Sequence, residues 1–162
     1  MCGLAGFIDR GRGRDKAALL GIAEAMTDRL VHRGPDDGGV WADGEAGIGL
    51  GFRRLAIQDL SPDGAQPMQA AAGRFTLVFN GEIYNFLELR RILDAEGGWD
   101  WQGRSDTEVL LAACCLWGVE TALSRLDGMF AFALWDARRR VLTLARDRMG
   151  CLLYTSPSPR DA

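Results

Sequence analysis

At 162 residues, with 48% hydrophobic and 25% charged residues, the chain has the make-up of one globular domain with a sizeable core. A formal net charge of -3 excludes a chain that is basic overall, so neither nucleic acid nor a membrane surface is expected as a partner. The longest mostly apolar stretch, VLLAACCLWGV, is about half of a bilayer span. No secretory signal opens the chain, and Cys2, Cys114, Cys115 and Cys151 show no CxxC spacing, so no zinc site or disulfide framework is indicated and the cytoplasm is the expected compartment.

In chain order, CGLAGFID reads as a buried strand closed by the turn-like RGRGR. From about Asp15 the pattern becomes helical, with Leu19, Ile22, Met26 and Leu30 at steps of three and four, until HRGPDDGG stops it. GVWAD, AGIGLGFRRLAI and RFTLVFNGEIYN read as successive strands joined by DGE and SPDGAQP turns. FLELRRILDAEGG is a short helix ending at glycine. Ser105 and Glu108 of SDTEVLL stand in the S-x-x-E spacing of a capping box and start the next helix. GMFAFALWD and RVLTLARD, separated by ARR, form a hairpin. Strands, helices and strands again without strict alternation predict a mixed α+β layered fold. The last residues, CLLYTSPSPRDA, contain Ser-Pro-Ser-Pro, which cannot continue a ladder, and read as an atypical tail over 151–162.

Four stretches could carry chemistry. Cys2 is either an ordinary buried cysteine or, once Met1 is removed, a terminal nucleophile. Its own α-amine, with an unperturbed pKa of about 7.7–8.0, could then take the thiol proton. NGEIYN follows the strand FTLVF; the Asn80 amide and the Gly81 N–H are two donors suited to an oxyanion, but Asn-Gly is also the commonest tight-turn dipeptide, and by itself the turn reading is preferred. Asp106 in the first turn of a helix either supports the cap or accepts a substrate ammonium. Arg53 and Arg54, adjacent in a strand, point to opposite faces, so at most one can grip a carboxylate in a given pocket. His32, the lone histidine, lies at a helix end and reads as structural rather than as a base. Cys114 and Cys115, on an apolar helix, read as core.

The order of these motifs is more specific than any one of them. MCGLAGF, HRGPDD, RRLAIQD, GAQPM, FNGEIYN, SDTEVLL, LDGMFAFALWD and ARDRMG together resemble the class II glutamine amidotransferase domain of asparagine synthetases over residues 1–150, and the glutamate in NGEIYN resembles that branch in particular. The resemblance implies an N-terminal-nucleophile hydrolase fold, a four-layer αββα sandwich, here C-terminally incomplete. It implies that Cys2 attacks the side-chain amide of glutamine, passing through a thioester to release ammonia and then glutamate. By motif position Asn80 and Gly81 match the oxyanion hole, Arg54 the group holding the glutamine carboxylate, and Glu82 and Asp106 the groups around its α-ammonium. The backbone of Arg54, Leu55, Ala56, Ile57 and Gln58 matches the pocket lining. A zwitterionic substrate needs such a set, one cation with one or two anions, because a neutral amide would leave buried charges unpaired.

The resemblance also implies what this segment does not supply. A C-terminal synthetase domain would use ATP and Mg²⁺ to activate aspartate; no SGG loop is present, so no cofactor or metal is expected within these residues. The expected partners are glutamine and that synthetase domain, with a homodimer left open. Two alternatives stand beside this reading: a glutaminase serving another carboxylate acceptor, and an inactive truncated fragment that fails to unfold cooperatively.

Overall fold

The computed structural model describes residues 2–11, 13–56 and 62–150. The proposed tail, 151–162, lies outside them, as do Ile57 and Gln58.

Among the described residues, seven strands form two antiparallel sheets. The first has the order β1–β3–β2, from β1 (Gly3–Ile8), β2 (Asp37–Asp43) and β3 (Ile48–Arg54). The second has the order β4–β5–β6–β7, from β4 (Met68–Ala70), β5 (Phe75–Ile83), β6 (Gly128–Asp136) and β7 (Val141–Arg146). Helix α1 (Lys16–Asp28) covers the outer face of the first sheet, and α2 (Phe86–Glu96) and α3 (Asp106–Trp117), with α4 (Val119–Arg125) packed on α3, cover the second. The expected αββα layering is present.

Strand alternation explains the layers. On β5, Phe75, Leu77, Phe79 and Ile83 point into a core shared with Leu89, Leu93, Val109, Leu110 and Leu111 of the helices. The intervening Val78 points the other way, into an inter-sheet core with Ile48, Leu50, Phe52, Ala133 and Trp135. Each such fully buried aliphatic or aromatic side chain contributes roughly 1.5–3 kcal/mol by leaving water. β3 is therefore oriented with Ile48, Leu50 and Phe52 toward the second sheet, and its other face toward α1. A Cβ on Gly51 would strike the Thr27 side chain, so only glycine lets the helix seat this closely.

Several sequence expectations shift here. The buried stripe of α1 is Leu19, Ala23 and Thr27; Met26 is exposed, because the small Ala23 and Thr27 are what the glycine face of β3 accommodates. The helix ends at Asp28, several residues ahead of Pro35, and Leu30 belongs to the turn that follows. Ser105 caps α3 as expected, accepting from Glu108 N–H at 3.2 Å. The return half of the box differs: the Glu108 carboxylate accepts from the N–H groups of Gln102 and Gly103, both at 2.8 Å, tying down the incoming loop. β4 and α4 are too short to produce a readable period, and both went unanticipated.

The hairpin of β6 and β7 forms as expected, turning at 137–140. Asp136 secures it, receiving Arg74 through two hydrogen bonds of 3.1 and 2.8 Å and the amides of Arg138 and Arg139 at 3.0 and 3.1 Å. The hydrogen bond from Arg74 is the main reason the Asp136 carboxyl is held below its ordinary pKa.

Candidate functional site

Cys2 precedes β1 and is half-buried against the inter-sheet core. Its sulfur accepts from Leu55 N–H at 3.4 Å and faces Leu55 O at 3.7 Å. β1 and β3 are paired, with Gly3 opposite Arg53, so the start of the chain and the end of β3 meet by register. The stretch after β3 is pinned as well: Asp36 accepts from Ala56 N–H at 2.8 Å, and Asp36 N–H donates to Arg54 O at 3.1 Å.

The two arginines part as strand geometry requires. Arg53 turns to α1, where it donates to Thr27 O at 3.4 Å and pairs with Asp28. Arg54 is buried and shares the face of Leu50 and Phe52, toward the second sheet. Arg54 is thus the one on the inter-sheet face.

Asn80 and Gly81 are not in a turn. They lie inside β5, opposite Ala131 and Phe130 of β6. The turn reading fails because the flanking residues Val78 and Ile83 each have a core to enter, so the strand runs through the dipeptide. Asn80 shares the inter-sheet face with Val78, and β1 and β3 lie across that face from β5.

The backbone of β5 has a second edge, away from β6. Phe79 presents its N–H and C=O there, to the side-chain amide of Gln66, with the N–H bond at 2.6 Å and the C=O bond at 3.2 Å. Ile83 presents its N–H on the same edge, to Asp106 Oδ2 at 3.0 Å. Because strand backbone alternates sides, the Gly81 N–H falls on this edge between the two. A donor aimed out of a sheet, not into its ladder, is what an oxyanion requires.

Asp106 is buried in the first turn of α3. Burial holds its carboxyl above the ordinary value, the neighbouring Glu82 charge adds in the same direction, and the hydrogen bonds from the amides of Ile83 and Thr107 oppose it. Glu82 stands exposed on β5 beside it. Of the residues singled out in sequence, the structure brings together Cys2 with Leu55, Arg54 with the inter-sheet layer, and Asn80, Gly81 and Glu82 with Asp106. Ile57 and Gln58 lie outside the described residues.

Gln66, Asp36 and Thr107 went unrecognised as contributors. Gln66 and Asp36 lie within GAQPM and HRGPDD, and Thr107 directly follows Asp106, but only the three-dimensional partners reveal what they hold. Other candidates stay apart. His32 is exposed in the turn after α1. Burial pushes the thiols of Cys114 and Cys115 up to about 12, which keeps both protonated at neutral pH. Among the described residues no group of three or more His, Cys, Asp or Glu is arranged to hold a metal ion, and no helix is long and apolar enough to cross a membrane.

Comparison with known proteins agrees with this architecture. The family model described as "Glutamine amidotransferase domain" matches residues 1–159. The chain is 41% identical to "Asparagine synthetase [glutamine-hydrolyzing] 3" of Bacillus subtilis, over 93% of this chain and 24% of that protein. It is 44% identical to "Putative asparagine synthetase [glutamine-hydrolyzing]" of Mycobacterium tuberculosis, with the same coverage of 93% and 24%. The chain therefore spans about a quarter of the length of the curated relatives it matches. Among solved structures, glutamine phosphoribosylpyrophosphate amidotransferase from B. subtilis, complexed with ADP and GMP, aligns with a TM-score of 0.68 at 20% identity, covering 91% of this chain and 37% of that one. That likeness shows that the two chains share a fold.

Proposed function

This chain belongs to the glutamine amidotransferase domain family, and on that premise we propose that it hydrolyses glutamine to glutamate and ammonia, with Cys2 as the nucleophile after removal of Met1. The carrying observation is the position of the Cys2 sulfur, 3.4 Å from the N–H of Leu55, the residue that follows Arg54, and packed on the inter-sheet core that Asn80 also faces.

The chemistry runs as follows. The α-amine of Cys2 takes the thiol proton, directly or through a water, and the sulfur attacks the side-chain carbonyl carbon of glutamine. Negative charge gathers on the carbonyl oxygen, where the Asn80 amide and the Gly81 N–H donate to it. The tetrahedral adduct collapses, the C–N bond breaks, and the proton held by the amine goes to the departing nitrogen, leaving a thioester and ammonia. Water then adds to the thioester, glutamate leaves, and the sulfur regains its proton. Arg54 grips the α-carboxylate, Asp106 and Glu82 receive the α-ammonium, and the backbone of residues 54–58 lines the pocket.

The raised pKa of Asp106 gives this arrangement a pH signature. A carboxyl shifted upward takes up its proton at a higher pH on acidification, and the protonated form cannot pair with an ammonium. The kcat/KM for glutamine, which reports the free enzyme, should therefore fall with a midpoint above the ordinary aspartate value of about 3.9. A flat kcat/KM profile down through that value would remove Asp106 from the ammonium site.

For the whole protein, the names of the relatives support ammonia delivery to an ATP-dependent synthesis of asparagine from aspartate. ATP, Mg²⁺ and aspartate would bind a C-terminal synthetase domain beyond this segment, and the proposed compartment is the cytoplasm. The direct test is intact mass measurement after incubation with a diazoketone analogue of glutamine. The expected mass lacks Met1 and carries one adduct on Cys2; an unlabelled protein that turns over glutamine would sink the nucleophile assignment.

A further inference from the structure

Gln66 is buried between the connection into β4 and the middle of β5. The β4–β5 ladder pairs Met68 with Leu77, and continuing that register would set residue 66 opposite Phe79. β4 has ended by that point. The Gln66 carboxamide occupies the vacant rung instead: its oxygen accepts from Phe79 N–H at 2.6 Å and its nitrogen donates to Phe79 O at 3.2 Å. The orientation of the amide is fixed by these partners, because the Phe79 N–H can only donate and its carbonyl can only accept.

The same nitrogen lies 3.4 Å from Thr107 Oγ1, and that hydroxyl lies 3.5 Å from Asp106 Oδ1. Asp106 closes the circuit through Oδ2 to Ile83 N–H at 3.0 Å. One polar chain, anchored in the first turn of α3, therefore grips β5 at residue 79 and again at residue 83. The segment Asn80–Glu82 is held between those two grips, with Gly81 at its centre. A main-chain rung would satisfy Phe79 alone; the side-chain rung also couples it to the helix.

Resting on the hydrolysis proposed above, we infer that Gln66 is a positioning residue for the oxyanion donors, fixing the direction of the Gly81 N–H through Phe79 and Thr107 without touching substrate. A donor fixed before the reaction serves the transition state more than the ground state, so its loss falls on kcat and spares KM. In the full chain, Gln66→Met keeps the length of the side chain and deletes its hydrogen bonds. The kcat for glutamine should fall about tenfold or more with KM changed less than about threefold, while unfolding stays cooperative. Exchange of the Phe79 and Gly81 amide hydrogens, followed by NMR, should accelerate in the same variant. Thr107→Val, which deletes only the hydroxyl at the far end, should lower kcat roughly threefold at unchanged KM; it is the deciding variant if Gln66→Met does not fold cooperatively.

Unchanged kcat and unchanged exchange in the folded variant overturn the assignment. So does a loss carried by KM alone, which would make Gln66 a binding group. Failure of the unsubstituted protein to hydrolyse glutamine strikes the function proposed above, and the exchange rates at Phe79 and Gly81 then decide the role of Gln66 by themselves.

Discussion

Cys2→Ala should reduce glutamine hydrolysis to background, a loss on the order of 10⁶-fold in kcat by comparison with other nucleophile deletions. The size follows from what remains. The proposed oxyanion donors and charge pattern for glutamine survive the substitution, but water attacking an unactivated carboxamide has no substitute for the thiolate. Among the described residues no other cysteine can step in, because Cys114 is buried in α3 and Cys115 sits on the same helix, both with thiols pushed up to about 12. Stability should change little: Cys2 is only half-buried, and sulfur is a weak hydrogen-bonding partner for the Leu55 backbone. Glutamine should still bind to the variant. Steady-state ammonia release together with calorimetric titration of glutamine checks both halves. An alanine variant retaining a few per cent of activity would mean that some other group attacks, and the terminal amine would lose its assigned purpose.

The sequence made the layering and the chemistry legible to different degrees, for physical reasons. Long, nearly continuous apolar runs, such as β5 and β6, announce themselves because both faces have a core to enter. Ser105 could be placed as a cap because the capping spacing is local. The parting of Arg53 and Arg54 needed only the alternation of a strand. What escaped depended on distant partners. Asn80-Gly81 has the composition of a turn, and only the cores on either side of β5 keep it extended. The α1 stripe was displaced because the glycine face of β3 selects small side chains over large ones. Gln66 lies 13 residues from Phe79 and 41 from Thr107 in sequence, so no local pattern marks it as their link. The proposal that Cys2, Arg54, Asn80 and Asp106 form one set rests on the order of the motifs; periodicity alone leaves each with an ordinary structural role.

Asn80→Ala should lower kcat by about 10² to 10³ with little change in KM, the loss typical of one oxyanion donor. The deletion is clean because Asn80 contributes its side chain to the inter-sheet face while its backbone stays paired opposite Ala131. Its neighbour provides the contrast. Gly81 donates from the backbone, which no side-chain substitution deletes, so Gly81→Ala can act only by moving the strand. A Cβ there would stand 2.5 Å from Met129 O and 2.7 Å from Phe130 Cα, with backbone on both counts, so β5 must shift away from β6. That shift drags the Gly81 N–H, the adjoining Asn80 and the Ile83 link to Asp106 together, and both kcat and stability should fall. The two variants thus separate by their unfolding transitions: unaltered for Asn80→Ala, lowered for Gly81→Ala. If Asn80→Ala left kcat within about threefold of the parent, a single backbone donor would have to carry the developing charge, and the oxyanion would have to sit over the open edge of β5, away from the inter-sheet face.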